Sequence, residues 1–191
     1  MAALNQDCDV RLPFTCGEVV LMGRYPHQEF FRTNGIRDAT AVQWALDHTD
    51  TTELADRLIT EVSGGERQSV IMARALAQQA PLLLLDEATS AMDIHRKLKI
   101  FQGLERLNRE ENLTILAALH DVNLAALFCR QLIMLKNGEI LADGETRSVL
   151  RPEILENVYG TPAVIQEIKE IERLQVFFLP SGETSKGNGD G

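Results

Sequence analysis

The chain has 191 residues, with 28 acidic against 19 basic side chains, a formal net charge of −9 and 45% apolar residues. That apolar content excludes disorder throughout, and the missing basic surplus excludes nucleic-acid binding through bulk charge. At this length a core can form without disulfides or metals, and the longest apolar runs fall far short of the roughly 18 residues that a membrane span requires.

The opening MAALNQDCD has no basic region and meets Asp7 early, so it does not read as a signal peptide. Cys8, Cys16 and Cys129 are widely spaced, with no CxxC. An odd count of this kind reads as reduced thiols in a cytoplasmic protein. Thr15 to Glu18 is a T-x-x-E capping box that opens a short helix running to about Arg24. Residues 25–36 contain Pro26, Asn34 and Gly35 and predict a loop. Arg37 to His48 carries Ala41, Trp44 and Ala45 at helical spacing. Ser63 to Glu66 is a second capping box, opening a helix to about Gln79 with Met72, Ala75 and Leu76 on its core face.

Pro81 precedes LLLLD, a short apolar run that predicts a strand buried on both faces. Asp93 can cap a helix from Ile94 to about Arg109, and LTILAAL at 113–119 predicts a second buried strand. A helix from Asp121 to about Cys129 follows. QLIMLK-NG-EILADG then predicts a β-hairpin, Asn137-Gly138 supplying the positive φ angles of a tight turn. Short helices around 145–158 and a strand near 174–179 come next. The small, polar run 181–191 predicts a disordered tail. Helices alternating with buried strands imply an α/β fold with a parallel sheet, whose functional groups gather at the carboxyl ends of its strands.

Asp86-Glu87 follows one such strand and His120 the other. One carboxylate can hold Mg²⁺ through water while its neighbour orients a water for attack on a phosphoryl group. The same pair can equally begin a solvated turn. In VSGGERQ, Ser63, Gly64 and Gly65 let a phosphate approach the backbone at a helix N-terminus. An ordinary N-cap with a glycine turn has the same sequence. His120 can donate a hydrogen bond to a transferring phosphoryl group, or can be a satisfied structural histidine. His27, His48 and His95 share no ligand-like spacing, so no zinc site is expected.

VSGGERQ, ARALA (73–77), LLLLDEATSAMD (82–93) and ALHDVNLA (118–125) occur in that order. Together they resemble the ATP-binding-cassette (ABC) ATPases: the signature motif, the Walker B strand with its catalytic glutamate, the D-loop and the histidine switch. PFTCGEVVLMGRYPH (13–27) resembles the start of the helical subdomain in importers of haem, iron-siderophore and cobalamin type, the haemin importers being the nearest likeness.

The resemblance implies a partial P-loop NTPase (ABC ATPase) fold. A helical subdomain would span about 13–75 and part of the catalytic core 76–180, with a C-terminal β-hairpin. It implies that Gln6 contacts Mg²⁺ or the attacking water and couples the site to the membrane partner. Ser63, Gly64, Gly65 and Glu66 would close over the γ-phosphate of ATP held by a second, identical subunit. Asp86 would hold the Mg²⁺ shell, Glu87 would act as general base, Asp93 would bridge the subunits, and His120 would sense the γ-phosphate. The implied partners are that second ATPase subunit, transmembrane permease subunits and, indirectly, a substrate-binding protein, with no nucleic acid. The implied location is the cytoplasmic face of the plasma membrane.

The sequence also departs from the family pattern. No G-x-x-x-x-G-K-[ST] occurs in the 191 residues. The expectation is therefore an N-terminally incomplete cassette, with a strand edge and apolar surface left uncovered. Ala88, Met92, Val62 and Ser69 stand where the family commonly has proline, leucine, leucine and arginine. Two readings stay open: a transport-coupled ATPase subunit, and a non-catalytic fragment that docks on a transporter. A chromosome-maintenance ATPase would need heptads and basic surfaces that the sequence lacks.

Overall fold

The computed structural model of the chain describes residues 1–4, 13–27, 35–86, 89 and 92–180; the tail 181–191 lies outside the described residues. The chain divides into two units after Ala118.

The first unit is built on a parallel sheet in the order β1 (Ala2–Leu4), β2 (Leu82–Asp86), β3 (Thr114–Ala118). Leu4 pairs with Leu85, Leu84 with Leu116, and Asp86 with Ala118. The inner face of the sheet carries Ala2, Leu4, Leu83, Leu85, Ile115 and Ala117 into the core. β1 was not foreseen, because three residues are too few to show an alternation. β3 also differs from expectation. It is not buried on both faces: its residues alternate between exposed and half-buried, and Leu116 is 57% exposed. β3 borders the described sheet, and only its inner face packs on the core.

The unit has four α-helices among the described residues, α1 (Cys16–Leu21), α2 (Gly35–His48), α3 (Gly64–Ala77) and α4 (Ile94–Glu110): α3 packs on β1 and α4 on β3, while α1 and α2 pack on α3 and on each other. Both capping boxes close. The Thr15 N–H donates to Glu18 at 2.7 Å while the Glu18 N–H donates to Thr15 Oγ1 at 3.2 Å. α1 ends earlier than expected, tightening into a 3₁₀ helix over Met22–His27 that runs through Pro26. Of the predicted loop 25–36, Tyr25–His27 belong to the 3₁₀ helix and Gly35 and Ile36 to α2, while 28–34 lies outside the described residues. Met72, Ala75 and Leu76 are core residues, as their spacing implied.

The 3₁₀ helix exists to meet α3. A Cβ on Gly23 would lie 2.1 Å from the Arg74 carbonyl oxygen, so only glycine permits this approach. The buried Arg24 guanidinium donates to Asp38 at 2.9 Å, to the Ala77 carbonyl at 2.7 Å and to Gln79 at 3.1 Å. His27 Nε2 lies 2.6 Å from the Gln78 carbonyl. A cation at the C-terminal carbonyls of α3 opposes the negative end of the helix dipole.

The second unit contains α5 (Val122–Phe128), the hairpin β4 (Gln131–Lys136) and β5 (Glu139–Glu145), α6 (Thr146–Val149) and α7 (Pro152–Tyr159). A second hairpin joins β6 (Ala163–Ile168) to β7 (Arg173–Phe178). Asn137 and Gly138 adopt φ of 52° and 82°, the turn predicted from their identity. Val122, Leu132, Met134, Val149, Leu155 and Val176 form this unit's own core. β6 was not foreseen, since Gln166 and Glu167 interrupt its apolar pattern.

Gly23→Ala is expected to destabilise the chain by at least about 2 kcal/mol through forced displacement of α3. Asp38→Ala should cost about 3 kcal/mol by leaving a buried guanidinium short of its counter-charge. Both would appear as a lower urea midpoint at unchanged slope.

Candidate functional site

The most fully described part of the site is the start of α3. Ser63 is its N-cap, with extended backbone angles of φ −62° and ψ 162°. The Glu66 N–H donates to Ser63 Oγ at 3.3 Å, and the Ser63 N–H donates to Glu66 Oε2 at 2.8 Å. The Ser63 hydroxyl lies 2.8 Å from the same carboxylate oxygen. Ser63 and Gly64 are exposed, and a Cβ on Gly64 would meet nothing within 4 Å. An anion can therefore reach the backbone of this first turn, where unpaired N–H groups and the helix dipole favour negative charge.

The Ser63 backbone and hydroxyl hold the Glu66 carboxyl below its ordinary range, assisted by the charges of Arg96 and Arg57. Arg96 Nη2 lies 3.8 Å from Glu66 Oε1. The Arg96 backbone N–H donates to Asp93 Oδ1 at 2.9 Å, which makes Asp93 the N-cap of α4. That bond is the main reason the Asp93 carboxyl is also held low. One arginine thus ties the start of α3 to the start of α4, bringing Ser63, Gly64, Gly65, Glu66 and Asp93 into one local arrangement. Sequence reasoning missed Arg96. D-x-x-R marks the cap, but not the direction its guanidinium takes toward Glu66.

Ser69, where the family commonly has arginine, is fully buried and its hydroxyl donates to the Gly65 carbonyl at 3.1 Å. It supports the signature turn from inside the helix. Asp86 ends β2, exposed, at the carboxyl edge of the sheet. Its lone hard-oxygen carboxylate fits a Mg²⁺ ion that takes most of its other ligands from phosphates and water. Among the described residues no group of three or more His, Cys, Asp or Glu side chains could hold a metal by itself. His120 lies in the second unit, exposed, immediately before Asp121, the N-cap of α5. Gln6 and Glu87 lie outside the described residues, as do Ala88, Ser90 and Ala91. Burial raises the thiol pKa of both Cys16 and Cys129, so neither is an activated nucleophile. Among the described residues no helix is long and apolar enough to cross a membrane.

Residues 5–90 match the sequence model of the ABC transporter family. The petrobactin import ATP-binding protein FpuC of Bacillus anthracis is 36% identical over 187 residues, covering 98% of this chain and 67% of FpuC. The chain belongs to the ABC transporter family. The iron(3+)-hydroxamate import ATP-binding protein FhuC of Bacillus subtilis is 42% identical over 165 residues, covering 86% of this chain. The chain's match spans 61% of FhuC's length, less than two thirds. A metal-chelate type ABC transporter solved in an inward-facing conformation superposes with a TM-score of 0.84 at 30% identity, covering 94% of this chain and 73% of that one. The α/β architecture is that of an ABC ATPase cassette.

Ser63→Ala should cost about 1 kcal/mol of stability by removing the N-cap oxygen, whereas Glu66→Gln keeps an acceptor for the Ser63 N–H and removes only the charge. The Glu66 carboxyl is lowered in the folded chain, so its contribution is present above its unfolded pKa of about 4.3 and is lost as pH falls through the folded value. Urea unfolding against pH should therefore show wild type and Glu66→Gln converging in acid and diverging toward neutrality.

Proposed function

We propose that this chain carries the signature, Walker B and histidine-switch part of the ATP-binding subunit of an ABC importer, coupling ATP hydrolysis to entry of a metal chelate. The cargo class is an iron chelate or cobalamin, haemin among them. The observation that carries the reading is the Ser63-Gly64-Gly65 turn, exposed at Ser63 and Gly64, its capping box closed and joined to Asp93 through Arg96. The printed names of FhuC and FpuC and the metal-chelate transporter support the cargo class.

In this reading the turn closes over the γ-phosphate of ATP on a second copy of the subunit, its backbone N–H groups facing the anion. The Ser63 hydroxyl turns its proton from Glu66 to phosphate oxygen. Asp86 would hold Mg²⁺, an ion that would supply positive charge to the phosphates. Glu87 orients the attacking water and accepts its proton. Asp93 reaches the partner subunit, His120 donates to the γ-phosphate, and Gln6 links the site to the permease. Residues 13–75 form the helical subdomain and 76–180 part of the catalytic core. The assembly sits at the cytoplasmic face of the membrane, with a substrate-binding protein delivering cargo from outside.

The second reading is a fragment that docks on a transporter without hydrolysing ATP. The absence of G-x-x-x-x-G-K-[ST] from the 191 residues favours it for these residues taken alone.

ATP turnover by the native protein from its source cells separates the two. Glu87→Gln is expected to lower kcat by about 100-fold or more, the scale of a lost general base, and to trap a nucleotide-bound dimer seen as a doubled mass in solution. Unchanged turnover would remove Glu87 from its role. No turnover in the unsubstituted protein would favour the docking reading.

A further inference from the structure

Asn123, the third residue after His120, commits both ends of its side-chain amide to one residue of β7. Its Oδ1 accepts the Val176 N–H at 2.7 Å, and its Nδ2 donates to the Val176 carbonyl at 3.1 Å. Val176 stands opposite Ile165 in the β6–β7 pair. Both bonds therefore fall on the edge of β7 that β6 leaves unpaired. A primary amide is the one neutral side-chain group that offers a donor and an acceptor side by side, as a strand edge requires. Val176 itself is only 3% exposed, so water is a poor substitute for either bond.

The hairpin is held at a second point. Tyr159, at the end of α7, meets Phe178 of β7 edge-on with ring centroids 4.9 Å apart. Burial, and secondarily the charge of Asp121, raises the Tyr159 hydroxyl pKa. Asp121 in turn accepts the N–H groups of Asn123 and Leu124 at 3.0 Å each. His120 is thus followed by the N-cap Asp121, which fixes the first turn of α5, and by Asn123, which engages the C-terminal hairpin through Val176.

We propose that Asn123 is a positioning residue, whose amide clamp on Val176 makes the β6–β7 hairpin the support that orients the loop bearing His120. The consequence for hydrolysis rests on the role proposed above for His120, whereas the placement of the loop does not. Displacing the hairpin would then move His120 without touching nucleotide, so the C-terminal hairpin is a place from which turnover can be regulated.

The test uses the full 191-residue chain with its histidine rings ¹³C-labelled. His27, His48 and His95 serve as internal references. Asn123→Ala should shift the His120 ring signals and leave the other three in place. Hydrogen exchange at the Val176 amide should accelerate about tenfold, the scale of one lost hydrogen bond. Asn123→Asp keeps the acceptor for the Val176 N–H but sets a carboxylate oxygen against the Val176 carbonyl, so the His120 ring signals should move in this variant too. Should the alanine variant fail to fold, the aspartate variant decides the matter. A His120 signal that stays put while the Val176 amide loses protection would overturn the proposal, as would equal movement of all four histidines. In a hydrolysing assembly Asn123→Ala should lower kcat with KM unchanged. If His120→Ala left turnover intact, His120 would lose its assigned role while the ring-signal result stood.

Discussion

The Arg24 guanidinium, buried between Asp38 and the last carbonyls of α3, is the interaction on which the first unit most depends. α3 carries the signature turn at one end and the Arg24 contacts at the other. With its C-terminus held by a cation and its N-terminus closed by Ser63 and Glu66, the helix has little freedom to slide. Gly23 permits the approach, since a side chain there would meet the Arg74 carbonyl. A buried ion pair rarely adds net stability, because both charges give up hydration. What this one supplies is registry: α2, α3 and the 3₁₀ helix meet at one guanidinium, whose planar fork accepts few alternative arrangements.

Local rules of sequence were the most legible. T-x-x-E and S-x-x-E announced two helix starts, Asp93 a third, and Asn-Gly a hairpin, because each device is complete within a few residues. What escaped was set by distance along the chain. Arg24 and Asp38 are 14 residues apart and nothing in their neighbourhoods pairs them. β1 is too short for periodicity, and β6 is interrupted by polar residues. The continuous apolar run of β3 suggested two buried faces, yet Leu116 is exposed. An apolar run reports that a strand belongs in an interior, and not which of its faces the described elements cover.

The site divides in the same way. Ser63, Gly64, Gly65 and Asp93 were singled out because a family motif names them, and the chain belongs to the ABC transporter family. Arg96, which ties two of the motifs together, belongs to none of them. Asn123 lies inside the histidine-switch motif, but its partner is 53 residues away on a strand that the motif does not mention. Motifs list the groups that face ligand. They are silent on the groups that hold those faces still, since the holding is done by whatever the fold brings alongside.

One device recurs through the site. Ser63, Asp93 and Asp121 are each the N-cap of a helix, and each stands in or beside a motif of the family. An N-cap leaves the helix in extended geometry, which keeps its own position fixed by local hydrogen bonds while the following N–H groups stay directed outward. The same geometry aims the positive end of the helix dipole at whatever approaches. In the proposed function this solves two problems with one residue, since the group that anchors the turn would also shape a phosphate's approach. It also carries a conflict. The Ser63 hydroxyl lies against Glu66, and the carboxylate competes with phosphate for its proton. The turn is thus closed by a carboxylate, and in the proposed site an arriving phosphate would replace a contact of like charge. That exchange would leave the Glu66 N–H to Ser63 Oγ bond in place and would favour an anion that can also recruit the backbone N–H groups.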